Sequence, residues 1–237
     1  MGLPENSVAA FEAALRAGAE GIECDLRMTA DHRVLVHHGG TFGPSHRKIG
    51  VRWHPYADLQ RIAQEEGEPL FPAEDLFQYI AQRPVPFFLE LKDPSPSLSR
   101  TVVEHIRRGD LWERVGLLGF PGLIQPAIRL RREHPRLRTW RILLAPVIAC
   151  ARFSLEGTGV FFGWQDSVPA SERIFRKTLT PERLARLVQR CGHGNSPVVA
   201  GVINRPEGFS LFRAAGIHDI VTDDVPAAVG FRSAAAG

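Results

Sequence analysis

From residue 85 onward the sequence alternates between short apolar runs and amphipathic stretches. "VPFFLELK" (85 to 92) leads into "SLSRTVVEHIRRG", "RVGLLGF" into "IQPAIRLRREH", and "SPVVAGVIN" into "PEGFSLFRAAG". "LRTWRILLA", "GTGVFFGW" and a closing "HDIVTDD" keep the same rhythm. Runs that are apolar at successive positions make strands buried on both faces, and intervening helices supply the cover. This pattern predicts a parallel sheet wrapped by helices.

The first third of the chain joins the pattern. "PENSVAAFEAALRAG" sets Val8, Phe11, Ala14 and Leu15 at helical spacing behind a polar cap region (Asn6, Ser7), with Gly18 as the stop. The strand "GIECDLRMT" follows, then a short apolar run in "ADHRVLVHH". "TFGPSHRKIGVRW" reads as an irregular loop, and "PYADLQRIAQ" and "PAEDLFQYIAQR" read as helices. Later, "TPERLARLVQRCG" is a helix with Thr180 as cap, Pro181 in the first turn and Gly192 after the end. The principal strands fall at roughly 21–27, 86–91, 115–120, 138–144, 159–164, 197–203 and 219–223, seven in all. A closed barrel of alternating strands and helices needs eight. The expected fold class is therefore α/β, a TIM (β/α)8-type barrel lacking its first strand, which should precede the first helix. A length of 237 residues suits one such barrel, and no linker or fixed repeat divides the chain, so a single domain over 1–237 is expected.

The charges narrow the function. Net charge is +3, and the densest basic run, "RLRREHPRLRTWR" (129 to 141), lacks an aromatic platform, so it reads as a solvated helix face and not as a nucleic-acid patch. No apolar run approaches the roughly 20 residues that span a bilayer, so no stable membrane insertion is expected. Cys24, Cys150 and Cys191 are odd in number and lack metal spacing, which suits reduced thiols. With no basic-then-apolar leader at the start, a cytoplasmic location is expected. The basic residues are 26 arginines and three lysines (Lys48, Lys92, Lys177), so where a generic positive charge is wanted this sequence uses Arg, and Lys92 draws attention.

Glu23 and Asp25 stand at i and i+2 and so share one face of their strand, in the half where parallel barrels carry active sites. Glu90 and Lys92 repeat the arrangement at the end of "VPFFLELK". Taken alone, Glu23 and Asp25 could pair with Arg27 or with backbone. Three converging carboxylates raise one another's pKa, and a hard divalent cation with carboxylate ligands removes that cost. Lys92 beside such a centre would hold an anionic oxygen as a point charge. In "VLVHHGG", His37 and His38 face opposite ways in an extended strand, so at most one reaches a shared site. A histidine near a metal-bound phosphate suits general acid/base work. No G-x-S-x-G, H-E-x-x-H or P-loop is present.

Three blocks, "PENSVAAFEAALRAGAEGIECDLRMTADHRVLVHH", "FFLELK" and "VINRPEGFSLFRAAGIHDIVTDD", together resemble the glycerophosphodiester phosphodiesterases, a family with a TIM-barrel fold. The stretch from 120 to 178 matches only in outline. The resemblance implies that Glu23, Asp25 and Glu90 hold one divalent cation, Mg²⁺ or Ca²⁺. It implies that His38 is a catalytic acid/base and that Lys92 contacts phosphate. The implied reaction is hydrolysis of a small-molecule glycerophosphodiester to sn-glycerol 3-phosphate and an alcohol. The chain departs from the family at three places. A His-Arg-Gly normally precedes "PEN", where this chain has "MGL". Gly39 stands where an acid usually follows the second histidine, and Gly201 where an aromatic is usual. Two expectations follow. One is a hydrolase whose first strand and His-Arg lie upstream of Met1; the other is an inactive homologue, truncated or degenerate, that still binds metal and phosphate.

Overall fold

The computed structural model describes residues 3–67, 69–144, 158–164, 170–193 and 197–234. Cys150 lies outside them. The chain divides into two compact units, one comprising Met1–Leu15 with Glu20–Arg138, the other Arg16–Ala19 with Thr139–Gly237.

The first unit holds helix α1 (Val8–Arg16), strands β1 (Ile22–Met28), β2 (Val34–Val36), β3 (Thr41–Phe42) and β4 (Ile49–Gly50), helices α2 (Tyr56–Glu66) and α3 (Ala73–Ala81), strand β5 (Phe87–Leu91), helix α4 (Pro96–Arg108), strand β6 (Val115–Gly119) and helix α5 (Pro121–Leu130). Its sheet runs β6-β5-β1-β2; β1, β5 and β6 are parallel, and β2 is antiparallel to β1. The two-residue period of a strand sorts the side chains of β1 and β5. Ile22, Cys24, Leu26 and Met28 join Phe87, Leu89 and Leu91 in a core with Phe11, Leu76, Ile80, Val102 and Ile106. Glu23, Asp25 and Arg27, with Phe88 and Glu90, are left for the opposite face. Full burial of each such apolar side chain contributes roughly 1.5–3 kcal/mol, which holds β1 in register against a slip that would send its acids into that core.

The loop expected over "TFGPSHRKIGVRW" contains a short antiparallel hairpin, Thr41↔Gly50 and Phe42↔Ile49, and a 3-10 turn at Val51–Trp53. Its order comes from a small core of its own, in which Phe42 and Val51 pack with Leu35, Leu59 and Ile62. No periodicity signals this, because only isolated residues of the segment point inward.

The second unit holds β7 (Arg138–Leu144), β8 (Gly159–Gly163), α6 (Ser171–Thr178), α7 (Pro181–His193), β9 (Val198–Ala200), α8 (Pro206–Ala214), β10 (Asp219–Ile220) and α9 (Val225–Ala234). Its strands follow the order β7-β8-β9-β10 and are parallel. With the three parallel strands of the first unit, the described residues thus carry the seven strands expected from sequence. Helix α7 begins as read, with the Thr180 hydroxyl accepting from Arg183 N–H at 3.4 Å, but it runs on through Gly192 to His193. Helix α6 escapes sequence reading because, of its eight residues, only Phe175 is buried.

Candidate functional site

The site is built on β1 and β5 at the ends where their apolar runs give way to charge. Asp25 and Glu90 are direct partners in the parallel register, and Glu23 lies one inward-facing position earlier on β1. Oxygen atoms of Glu23, Asp25 and Glu90 all lie within 4.8 Å of one another. Lys92, just past β5, places Nζ 3.0 Å from Asp25 Oδ1 and 2.7 Å from Glu90 Oε2. With all three acids ionised, Lys92 leaves two negative charges, the amount that one divalent cation neutralises. Glu90 Oε1 is buried and has no hydrogen-bond partner. A buried carboxylate oxygen left unpartnered costs free energy, so this atom fits a cation ligand.

The pKa shifts follow from this arrangement. Burial works to raise Asp25, but Lys92, Asn6 and His38 outweigh it and hold its carboxyl below the usual range. Burial pushes Glu90 up; Lys92 opposes the rise and Asp25 adds to it. Burial works to lower Lys92, yet Glu90 and Asp25 keep it above its ordinary value, so the ammonium stays charged.

His38 follows β2 and brings Nδ1 to 2.9 Å from Asp25 Oδ2. An ionised carboxylate only accepts, so Nδ1 carries a proton and donates it, leaving Nε2 as the nitrogen able to exchange a proton. The ring is half-exposed. His37 turns the other way, with Nε2 2.9 Å from the Thr41 carbonyl oxygen and its ring edge-on to Phe42. The structure thus brings Glu23, Asp25, Glu90, Lys92 and His38 together and leaves His37 out.

Arg27 does not pair with the acids of its own strand. Its Nη1 donates to Asp93 Oδ1 at 2.9 Å and its Nε to the His38 carbonyl at 3.0 Å. Asp93 Oδ2 also accepts from Met28 N–H at 2.9 Å. This bracket ties the chain at His38 to the ends of β1 and β5, and it removes Arg27 as the explanation for Glu23 and Asp25.

One contributor escapes the sequence reading. Asn6 Nδ2 donates to Asp25 Oδ2 at 2.9 Å, and Asp25 N–H donates to Asn6 Oδ1 at 2.8 Å. The capping role falls to Ser7, whose hydroxyl accepts from Ala10 N–H at 3.2 Å. Asn6 has φ of 54°, a left-handed conformation that asparagine tolerates and that turns its amide away from α1. Asn and Ser side by side before a helix both read as caps; only the fold separates them.

Gly39 is tightly enclosed: a Cβ there would lie 3.2 Å from the Thr41 carbonyl oxygen and 3.3 Å from His37 Nε2. Gly201, in the second unit, has no room for a side chain, since a Cβ would meet the Phe161 ring at 2.5 Å and Val221 at 2.9 Å. Cys24 and Cys191 are buried and unbridged, and burial raises both thiols, so neither reads as a reactive group.

Parallel strands with covering helices, ending in a carboxylate centre suited to a hard cation, define an α/β barrel-type fold with a candidate cation site. The family model described as "Glycerophosphoryl diester phosphodiesterase family" matches residues 1–99 of this chain. A glycerophosphodiester phosphodiesterase of Caldanaerobacter subterraneus subsp. tengcongensis is 23% identical over 236 residues, spanning 94% of this chain and 89% of that protein. The crystal structure of a glycerophosphodiester phosphodiesterase from Parabacteroides distasonis aligns with a TM-score of 0.72 at 19% identity, covering 98% of this chain and 91% of that one. An Oleispira antarctica phosphodiesterase, solved with the product sn-glycerol-3-phosphate, aligns with a TM-score of 0.64 at 14% identity over 99% of this chain and 92% of that one. These likenesses establish the TIM-barrel-type α/β fold. Among the described residues no helix is long and apolar enough to cross a membrane.

Proposed function

We propose that the chain is a metal-dependent phosphodiester hydrolase that converts glycerophosphodiesters to sn-glycerol 3-phosphate and a free alcohol. The observation that carries this reading is the convergence of three carboxylates with Lys92 and His38 on adjoining strand ends. The family match and the product held by the Oleispira protein support the substrate class.

In this reading Glu23, Asp25 and Glu90 hold one Mg²⁺ or Ca²⁺, since carboxylate oxygens serve either ion. The bound cation supplies Lewis-acid polarisation of a phosphoryl oxygen. An ammonium has three N–H donors and Lys92 engages two carboxylates, so one remains for a phosphate oxygen. His38 transfers a proton through Nε2, to the departing alcohol oxygen or from the attacking water. Its bond to Asp25 fixes the tautomer and the ring orientation.

A second reading, a homologue that binds metal and phosphate without turnover, is favoured by Gly39, a tightly enclosed residue with no acid to offer beside His38. Release of glycerol 3-phosphate from glycerophosphocholine, followed with added Mg²⁺, Ca²⁺ or chelator, separates the two. Cation-dependent release that is lost in Glu23→Ala supports hydrolysis. Cation-dependent binding of glycerol 3-phosphate by calorimetry, with no release, supports the second reading. Absence of both overturns both.

A further inference from the structure

Trp53 is the most exposed of the large hydrophobic residues described, at 72% of its surface. It sits in the segment that begins three residues after His38, at Thr41, and carries β3, β4 and the 3-10 turn. From His32 to Ala57 the sequence contains no Asp or Glu, while Arg33, Arg47, Lys48 and Arg52 lie within it. We propose that this segment is a docking surface for an anionic lipid bilayer, with Trp53 entering the headgroup layer and Lys48 and Arg52 binding the acidic headgroups around it.

The exposure of Trp53 is built rather than incidental. Its indole Cδ1 occupies the space a Cβ would need at Gly50, 2.8 Å away, so the glycine lets the ring lie against the backbone. The Arg52 guanidinium lies 4.9 Å from the ring centroid. Beneath them Val51 is fully buried, and its N–H donates to the Gly40 carbonyl at 3.0 Å. His54 Nδ1 contacts the Gly50 carbonyl at 3.0 Å, and the His54 carbonyl accepts from Ala30 N–H at 3.0 Å. The indole is therefore presented outward from a fixed base.

The charges favour lipid over protein. Arg47 is committed to Glu65. Lys48 and Arg52 are exposed and pair with no carboxylate among the described residues. A protein interface wants a contiguous apolar centre, whereas here one indole stands beside the Arg52 guanidinium. An amphipathic ring flanked by basic side chains is the combination that partitions to the headgroup level of an acidic leaflet. Gly39 and Gly40 join this surface to His38, so docking would set the candidate site beside the membrane, where phosphodiesters with lipid tails reside.

Flotation with vesicles of phosphatidylcholine containing about 30% phosphatidylglycerol, against phosphatidylcholine alone, tests this. Binding is expected only to the acidic vesicles and should vanish at about 0.5 M NaCl. Each basic contact is worth about fivefold, so Lys48→Glu with Arg52→Glu should weaken binding at least tenfold. Trp53→Ala should also release the protein, and both variants should keep the parental melting temperature because the altered residues are exposed. In the parent, acidic vesicles should shield Trp53 from iodide quenching, read as the difference from Trp53→Phe. Failure to bind acidic vesicles at low salt would overturn the proposal. So would binding that both variants retain, or a self-association lost in Trp53→Ala that would assign the surface to a second copy of the chain. Vesicle binding reads no catalysis, so it stands or falls apart from the proposed hydrolysis.

Discussion

Lys92 stands between Asp25 and Glu90, with Nζ 3.0 Å from Oδ1 of the first and 2.7 Å from Oε2 of the second. It is the cation that lets three acids share a largely buried space when no metal is bound. Lys92→Met should therefore destabilise the metal-free protein by about 3 kcal/mol, the lower end for breaking a buried ion pair, because the Lys92 side chain keeps some exposure. The same variant should gain more from Ca²⁺ or Mg²⁺ than the parent does, since the cation then replaces a missing charge. Thermal melts with chelator and with excess metal check both statements. An equal metal-induced shift in the two proteins would contradict them.

Asn6 gives Asp25 one hydrogen bond and takes another from its backbone. Asn6→Gly keeps the left-handed backbone available and removes only the amide. The expected cost is about 1.5–3 kcal/mol in urea unfolding, because one of the lost bonds goes to a charged carboxylate. Asn6→Ala should cost more, since alanine also strains at this φ.

His38 is held by Asp25 through Nδ1. His38→Asn should lower turnover by about 10²- to 10⁴-fold while leaving the metal-dependent shift in melting temperature in place. Steady-state rates beside melting curves separate the two effects. Loss of metal binding in this variant would mean that the ring serves the cation site instead.

His105 of α4 stacks on Phe77, with ring centroids 4.8 Å apart and planes at 5°. Burial lowers its pKa below the ordinary histidine value, so the folded protein favours the neutral ring. The unfolded chain binds this proton more readily. The contribution is therefore fully present above about pH 6.5 and is lost as pH falls through that value toward the lowered folded pKa. His105→Phe keeps a stacked ring without a proton, so its urea midpoint should decline less than the parent's between about pH 7 and 5. A ring titration of His105 by NMR at or above the ordinary value would refute the sign.

Much of the architecture was legible because it rests on local periodicity. The seven apolar runs became the seven parallel strands, and the i, i+2 spacing of Glu23 with Asp25 and of Glu90 with Lys92 placed four ionisable groups on two strand faces. Spacing along one strand says nothing about its neighbour. That Asp25 stands opposite Glu90 follows from the register of β1 on β5, which the packing of Ile22, Leu26, Phe87 and Leu91 sets. Which of two adjacent histidines enters the site was likewise decided by the fold, through β2 hydrogen-bonding to β1 and His38 reaching Asp25.

The sequence alone, then, determined an α/β chain with parallel strands and an acidic strand end suited to a divalent cation. Only the tertiary structure assigned Asn6 to Asp25, Arg27 to Asp93, and an outward-facing Trp53 to an ordered hairpin base. The physical reason is range. Periodicity reports which face of an element is buried, whereas these pairings join residues from different elements, and their partners are set by how the sheet and its helices pack.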